Sequence, residues 1–209
     1  MFLAKSRIEE FASASTPLFE KDTYERKCLQ QSSYDLRLGG QAYLVGQDAP
    51  VLLSETNPYL TISPGQFAIL TCFEKLDLPK NLMGFITLRN GFKTQGLVNI
   101  SGFHVDPTFK GVLMFAVNNA GPSDIRLRFR EPTFTIFFAF VDGEIGEARK
   151  EQKHPSDGIP LQSVQNLGGS SVTLTKLQKE IRDLRTMMLI YAPFAVAALL
   201  ALIMNLLRR

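Results

Sequence analysis

The chain has 209 residues, 45% of them hydrophobic, enough for one ordinary domain with a packed core plus an appendage. Its formal charge of +3 is slight and no long Lys/Arg cluster occurs, which speaks against a partner that is a nucleic acid polymer. Cys28 and Cys72 lie outside any CxxC spacing and the only histidines are His104 and His154, so no zinc site is expected and the thiols read as reduced groups in or near a core.

At the N-terminus, MFLAKSRIEEF is not a secretory signal, because charges interrupt it before any apolar stretch forms. Residues 1–13 read as a short helix with Phe2, Ile8 and Phe11 as apolar contacts. From about residue 34 to residue 141 the signals are those of strands and turns. SSYDLRLGG (32–40) starts polar, carries an acid and then alternates. In SPGQ (63–66), Pro and Gly occupy the central positions of a type II turn. GVLMFAVN (111–118) and PTFTIFFAFV (132–141) are continuous apolar runs, expected to be strands buried on both faces. Ile125-Arg126-Leu127-Arg128-Phe129-Arg130 alternates strictly, as a half-exposed strand does. Short strands at such spacing suggest a β-barrel or sandwich.

After Val141 the composition turns polar and loses periodicity. Residues 1–150 are expected to form the barrel and 151–173 a lid-like arm with a linker at Gly168-Gly169-Ser170-Ser171. Leu174, Leu177, Ile181, Leu184 and Met188 then recur at spacings of three and four, which is an a/d seam, and 174–186 reads as a short coiled-coil stalk. From Met187 to Leu207 there are 21 residues without a charge, reaching about 30 Å as a helix, the hydrocarbon thickness of a bilayer. This segment is expected to be a single membrane span that anchors the chain from its C-terminal side, kinked at Pro193, with the N-terminal domain in the cytoplasm. Lys176, Lys179, Arg182 and Arg185 on the barrel side agree with the positive-inside tendency, although Arg208 and Arg209 dilute it. A buried core helix is the alternative.

Several pieces, in order, resemble the dCTP deaminase/dUTPase superfamily, and dCTP deaminases in particular: SSYDLRLGG, SPGQFAILTCFEKLDLP (63–79), GFITLRNGFKTQGL (84–97), GFHVDPTFKG (102–111) and the arm segment SDGIPLQSVQNL (156–167). The resemblance runs to about residue 167. It implies a dUTPase-like β-barrel that forms homotrimers, active sites between subunits, and a deoxynucleoside triphosphate bound with Mg2+. Arg89 matches the family's phosphate-binding arginine. Asn90 and Gly91 stand where serines are expected, and each can still offer a hydrogen-bond donor to phosphate. Thr94 stands where deaminases carry another arginine. Asp106 matches the family's aspartate and is the catalytic candidate. Lys110 stands where dCTP deaminases have the glutamate that activates water, so it is read as an anion-binding cation and not as a base: an ordinary lysine is protonated near neutral pH. Without the resemblance, DPTF is a plain turn between strands.

Three functions fit these residues. The first is a membrane-anchored trimeric nucleotide-binding protein that has lost deamination and acts as sensor or scaffold. The second is an active membrane-tethered deaminase or pyrophosphatase. The third is a purely structural trimer.

Overall fold

The computed structural model describes residues 1–15, 17–143, 146, 158–160 and 174–208. The expected arm and linker at 151–173 lie outside the described residues apart from 158–160. Residues 1–171 and 172–209 form two separate compact units.

The first unit is mainly β. A short helix α1 (Lys5–Ala12) precedes ten strands: β1 (Tyr34–Leu44), β2 (Val51–Leu52), β3 (Tyr59–Ile62), β4 (Phe67–Asp77), β5 (Leu82–Leu88), β6 (Leu97–Asn99), β7 (His104–Val105), β8 (Lys110–Asn119), β9 (Ile125–Arg128) and β10 (Pro132–Phe140). A single helical turn α2 (Asn90–Lys93) sits between β5 and β6. The main sheet runs β6-β8-β4-β1-β10-β5-β7, with β2 added to β1, and every ladder is antiparallel. β3 and β9 make a separate two-stranded sheet.

The main sheet curls into a half-barrel around its own apolar side chains. β1 is the joint: it pairs with β10 through Tyr34–Arg37 and with β4 through Leu38–Leu44. Register shifts at Leu36/Arg37, between Leu38 and Ala42, and between Thr71 and Lys75 mark where the ladders are disrupted, the usual way in which a sheet bends. Gly39 sits in one of these shifts, where a Cβ would run into the Cys72 carbonyl and the Thr71 hydroxyl. The SPGQ turn forms as its composition requires, with Gln66 N–H donating to Ser63 C=O at 2.9 Å and Gly65 at φ +76°.

The core is aromatic. Phe115 of β8 stacks on Phe134 of β10 with centroids 3.7 Å apart, and Phe19 packs on Tyr34 at 4.5 Å and on Phe138 at 6.0 Å. β9 alternates as expected, with Ile125 and Leu127 buried and Arg126 and Arg128 exposed. β8, expected to be buried on both faces, instead alternates: Leu113, Phe115 and Val117 are buried, whereas Val112, Met114 and Ala116 are only half covered. An apolar run does not by itself tell a fully covered strand from one whose second face lies at the edge of the core. Ile8 is buried and Phe11 packs against the core, as expected of the N-terminal helix. Phe2 lies outside that helix: it bridges Ala139 as a strand residue and is mostly exposed.

The second unit is one uninterrupted helix, α3 (Leu174–Leu207), with Pro193 inside it. The part from Lys179 to Leu207 is 29 residues long and contains an 18-residue stretch with a mean hydropathy of 2.4 that is not buried, so it is long and apolar enough to cross a membrane.

Candidate nucleotide site

Arg89 follows the last residue of β5 and caps the start of α2. Its backbone N–H donates to Thr133 C=O at 3.0 Å, which ties the loop to β10. Its guanidinium Nε lies 3.6 Å from Asp35 Oδ2. Asp35 is a buried carboxylate on β1; it also accepts from the Thr135 hydroxyl at 2.7 Å and from the Gln30 amide at 3.0 Å. In-register pairing of Asp35 with Thr135 places the acid beside β10, from which it reaches the strand-end arginine. A half-exposed guanidinium is thus held from behind by a fixed anion.

Asn90 and Gly91 are exposed on α2. A Cβ at Gly91 would meet nothing within 4 Å, so the fold does not require glycine there. The Thr94 hydroxyl donates back to Asn90 C=O at 3.2 Å and Gly91 C=O at 3.1 Å, and the Gln95 amide donates to Gly91 C=O at 2.9 Å. Thr94 therefore serves its own turn. Lys93 lines an adjacent cleft of about 410 Å³ together with Thr87, Leu88, Val98 and Asn99.

Asp106 lies toward the other end of β5, four residues before Lys110 at the start of β8. β7 pairs with β5 through Gly84–Val105 and Phe85–His104, whereas Leu88 pairs with Phe134 one residue before Arg89. The five steps from position 84 to position 89 span about 16 Å of strand. One chain therefore does not bring Arg89, Asn90 and Gly91 together with Asp106 and Lys110. Asp106 lies 3.5 Å from His104 Nε2, both half exposed. The DPTF stretch is a tight turn in which Phe109 N–H donates to Asp106 C=O at 3.2 Å, with Thr108 at φ +66°, a left-handed conformation unusual for a β-branched residue.

Lys110 opens β8 directly opposite Asp77 of β4 and donates to its carboxylate at 2.7 Å. The hydrogen bond and charge of Asp77 raise the Lys110 pKa, holding the ammonium more firmly protonated. Asp77 was not anticipated as its partner. Among the described residues no group of three or more His, Cys, Asp or Glu is arranged to hold a metal ion. The Mg2+ implied by the resemblance has no protein cage in this set.

Behind the site lies a charged network that was not singled out from the sequence. Glu74 of β4 is fully buried and receives Arg37 Nε at 2.7 Å, Arg37 backbone N–H at 2.9 Å and the Tyr34 hydroxyl at 3.4 Å. Arg37 also reaches Glu25 at 3.2 Å and lies 4.7 Å over the Phe73 ring. Burial pushes the Glu74 carboxyl up and Arg37 pulls it back, while bonding to Glu74 holds Arg37 above its ordinary value against the cost of its burial. Three donors on one carboxylate fit an ionised pair. Cys28 and Cys72 are free and buried, as expected of reduced thiols in a core, and burial pushes both thiols up.

The family model described as dCTP deaminase-like matches residues 3–140. The chain belongs to the dCTP deaminase-like family. The dCTP deaminase of Thermococcus kodakarensis is 31% identical over 122 residues, 58% of this chain and 76% of that protein. That of Thermococcus sibiricus is 32% identical over 138 residues, 66% of this chain and 81% of that protein. The structure of 2'-deoxycytidine 5'-triphosphate deaminase from Agrobacterium tumefaciens superposes with a TM-score of 0.55 at 18% identity, over 66% of this chain and 48% of that one. The dCTP deaminase-like match thus takes in the whole curled sheet, Arg89, Asp106 and Lys110, and ends before α3.

Proposed function

We propose that this member of the dCTP deaminase-like family binds a deoxynucleoside triphosphate without deaminating it, at sites shared between copies, and is anchored to a membrane by α3. The observation that carries the reading is the state of Lys110. Where the resemblance places a glutamate able to take and return a proton, this chain has an ammonium that Asp77 keeps charged. A general base must be able to lose its charge-assisted proton near the working pH, and Asp77 moves Lys110 the wrong way.

Arg89, Asn90 and Gly91 would hold phosphate oxygens, with Asp35 fixing the orientation of the guanidinium. Asp106 would face the sugar or a bound water from the other end of β5. Because the two groups are separated along one strand, a complete site needs Asp106 from one copy beside Arg89 of another, which supports the homotrimer that the resemblance implies. Domain order would be barrel, arm, stalk and span, with the barrel on the cytoplasmic side.

The test uses purified full-length protein in detergent. Calorimetric titration with dCTP and Mg2+ should show saturable binding, and the same mixture should release no ammonia and yield no deaminated nucleotide on chromatography. Steady ammonia release would establish the active deaminase instead. Absence of binding to any deoxynucleoside triphosphate would leave the structural-trimer reading.

A further inference from the structure

We infer that α3 packs in parallel against the α3 of neighbouring copies of this chain, within the proposed trimer, along one seam that runs through the stalk and the apolar segment to Asn205; this rests on the membrane reading above.

The seam begins in the stalk. Leu177, Ile181 and Leu184 are all at least 42% exposed on α3, so these apolar side chains have no partner within their own unit. The same heptad phase, carried forward without a break, places Met188, Tyr191, Ala195, Ala198, Leu202 and Asn205 on the same stripe. A straight helix drifts about 20° per heptad from such a stripe, which a left-handed supercoil absorbs. The uninterrupted helix keeps stalk and apolar segment in one phase, so a stripe set in the stalk is delivered into the lipid.

The identity of the partner is set by three features. Glu180 and Arg185 fall at g and e positions, and g faces e of the next heptad across a parallel pair. A second copy in register therefore meets Glu180 with Arg185 on both sides, whereas an antiparallel copy does not. Inside the apolar segment Ala195 and Ala198 fall on the seam beside the larger Met188, Tyr191 and Leu202, while Ala192, Ala197 and Ala201 lie off it. Small residues on one face let helix backbones approach in lipid. Asn205 is the only amide between Met187 and Leu207. Thr186, by contrast, satisfies its hydroxyl on its own helix by donating to Arg182 C=O at 2.9 Å. The Asn205 amide both donates and accepts, so the same residue on an identical helix complements it. Pro193 falls at f, away from the contact, where its missing N–H does not disturb the seam.

The experiment uses the full chain reconstituted in phosphatidylcholine vesicles. Flotation comes first: a chain that does not float with the vesicles overturns the membrane anchor and the seam together, and leaves the nucleotide reading standing. In floating protein, single cysteines are introduced by Ala195→Cys, Ala198→Cys, Val196→Cys, Leu200→Cys and Ile203→Cys and oxidised. The native thiols are buried and serve as the unreactive background. Disulfide-linked pairs are expected at 195 and 198 and not at 196, 200 or 203. Asn205→Leu should lower the Ala198→Cys cross-link roughly 3- to 30-fold. Glu180→Arg should lower it as well, and adding Arg185→Glu should restore it. Cross-linking without phase, no cross-linking at any position in floating protein, or no rescue by the charge swap overturns the seam and leaves the anchor intact.

Discussion

Replacing Arg37 by methionine strips its side-chain donor from a carboxylate that has no solvent contact. Glu74 then keeps only the backbone N–H of residue 37 at 2.9 Å and the Tyr34 hydroxyl at 3.4 Å. Removing one partner of a buried ion pair costs about 3–5 kcal/mol, a large share of the ~5–15 kcal/mol by which a domain is stable. In urea, with a slope of about 2 kcal/mol per molar, the unfolding midpoint of Arg37→Met should fall by roughly 1.5–2.5 M. The deficit should depend on pH with a definite sign. Burial raises the Glu74 pKa, and without Arg37 nothing comparable opposes it. The folded variant then binds more protons than the unfolded chain above the ordinary carboxylate value, so its stability falls as pH rises and partly recovers in acid. Arg37→Met with Glu74→Leu should regain most of the loss, because an apolar pair of similar volume replaces the charges. The exposed Lys110–Asp77 pair is the control, since surface ion pairs contribute little, and Lys110→Ala should leave the midpoint almost unmoved. If Arg37→Met shifts the midpoint no further than Lys110→Ala does, the buried-pair argument is wrong.

Gly91→Ser should fold as well as the wild type, because a Cβ there meets open space; a loss in thermal stability would contradict the geometry. Arg89→Ala should abolish dCTP binding by calorimetry while leaving the circular dichroism spectrum unchanged, since its side chain is half exposed. Tyr24→Phe should be neutral or stabilising by about 1 kcal/mol in urea, because the Tyr24 hydroxyl is buried without a hydrogen-bond partner among the described residues. Alkylation of Cys28 and Cys72 at pH 8 should be slow in folded protein and fast in urea. Above about pH 9 the unfolded thiols ionise while burial keeps the folded ones protonated, so the folded state binds more protons and the melting temperature should fall with rising pH.

The strands were legible where local composition decided them. SPGQ could hardly be anything but its turn, and β9 shows its two faces in a six-residue alternation. The order of motifs carried the family, and with it the curl of the sheet. What the sequence withheld are pairings between distant residues. Glu74 sits in FAILTCFEKLD as one more charge in an apolar strand, and nothing nearby says that Arg37, on another strand, lies under it. The only available signal was the charge itself at a position flanked by core residues, since a buried acid needs a partner. Asp35 was visible as an acid in SSYDLRLGG, but its hold on Arg89 follows from β1, β10 and β5 lying side by side. The separation of Arg89 from Asp106 is likewise a matter of sheet register: the two are 17 positions apart in the chain and at opposite ends of one strand.

That register also governs how the question of catalysis is put. Lys110 is not an isolated replacement, because Asp77 stands directly opposite it across the β4–β8 ladder. Lys110→Glu would place two carboxylates face to face, an arrangement that destabilises a strand pair and raises the pKa of at least one of them. The single change therefore tests two things at once, and its failure to deaminate dCTP would not separate a missing base from a disturbed turn. Lys110→Glu with Asp77→Lys keeps the cross-strand attraction and inverts its direction. The double variant should match the wild-type urea midpoint where the single one falls below it. It should still release no ammonia from dCTP, since Thr94 is committed to its own helical turn and supplies no guanidinium. Ammonia release by the double variant would mean that the base alone was missing, and that Thr94 does not limit the reaction.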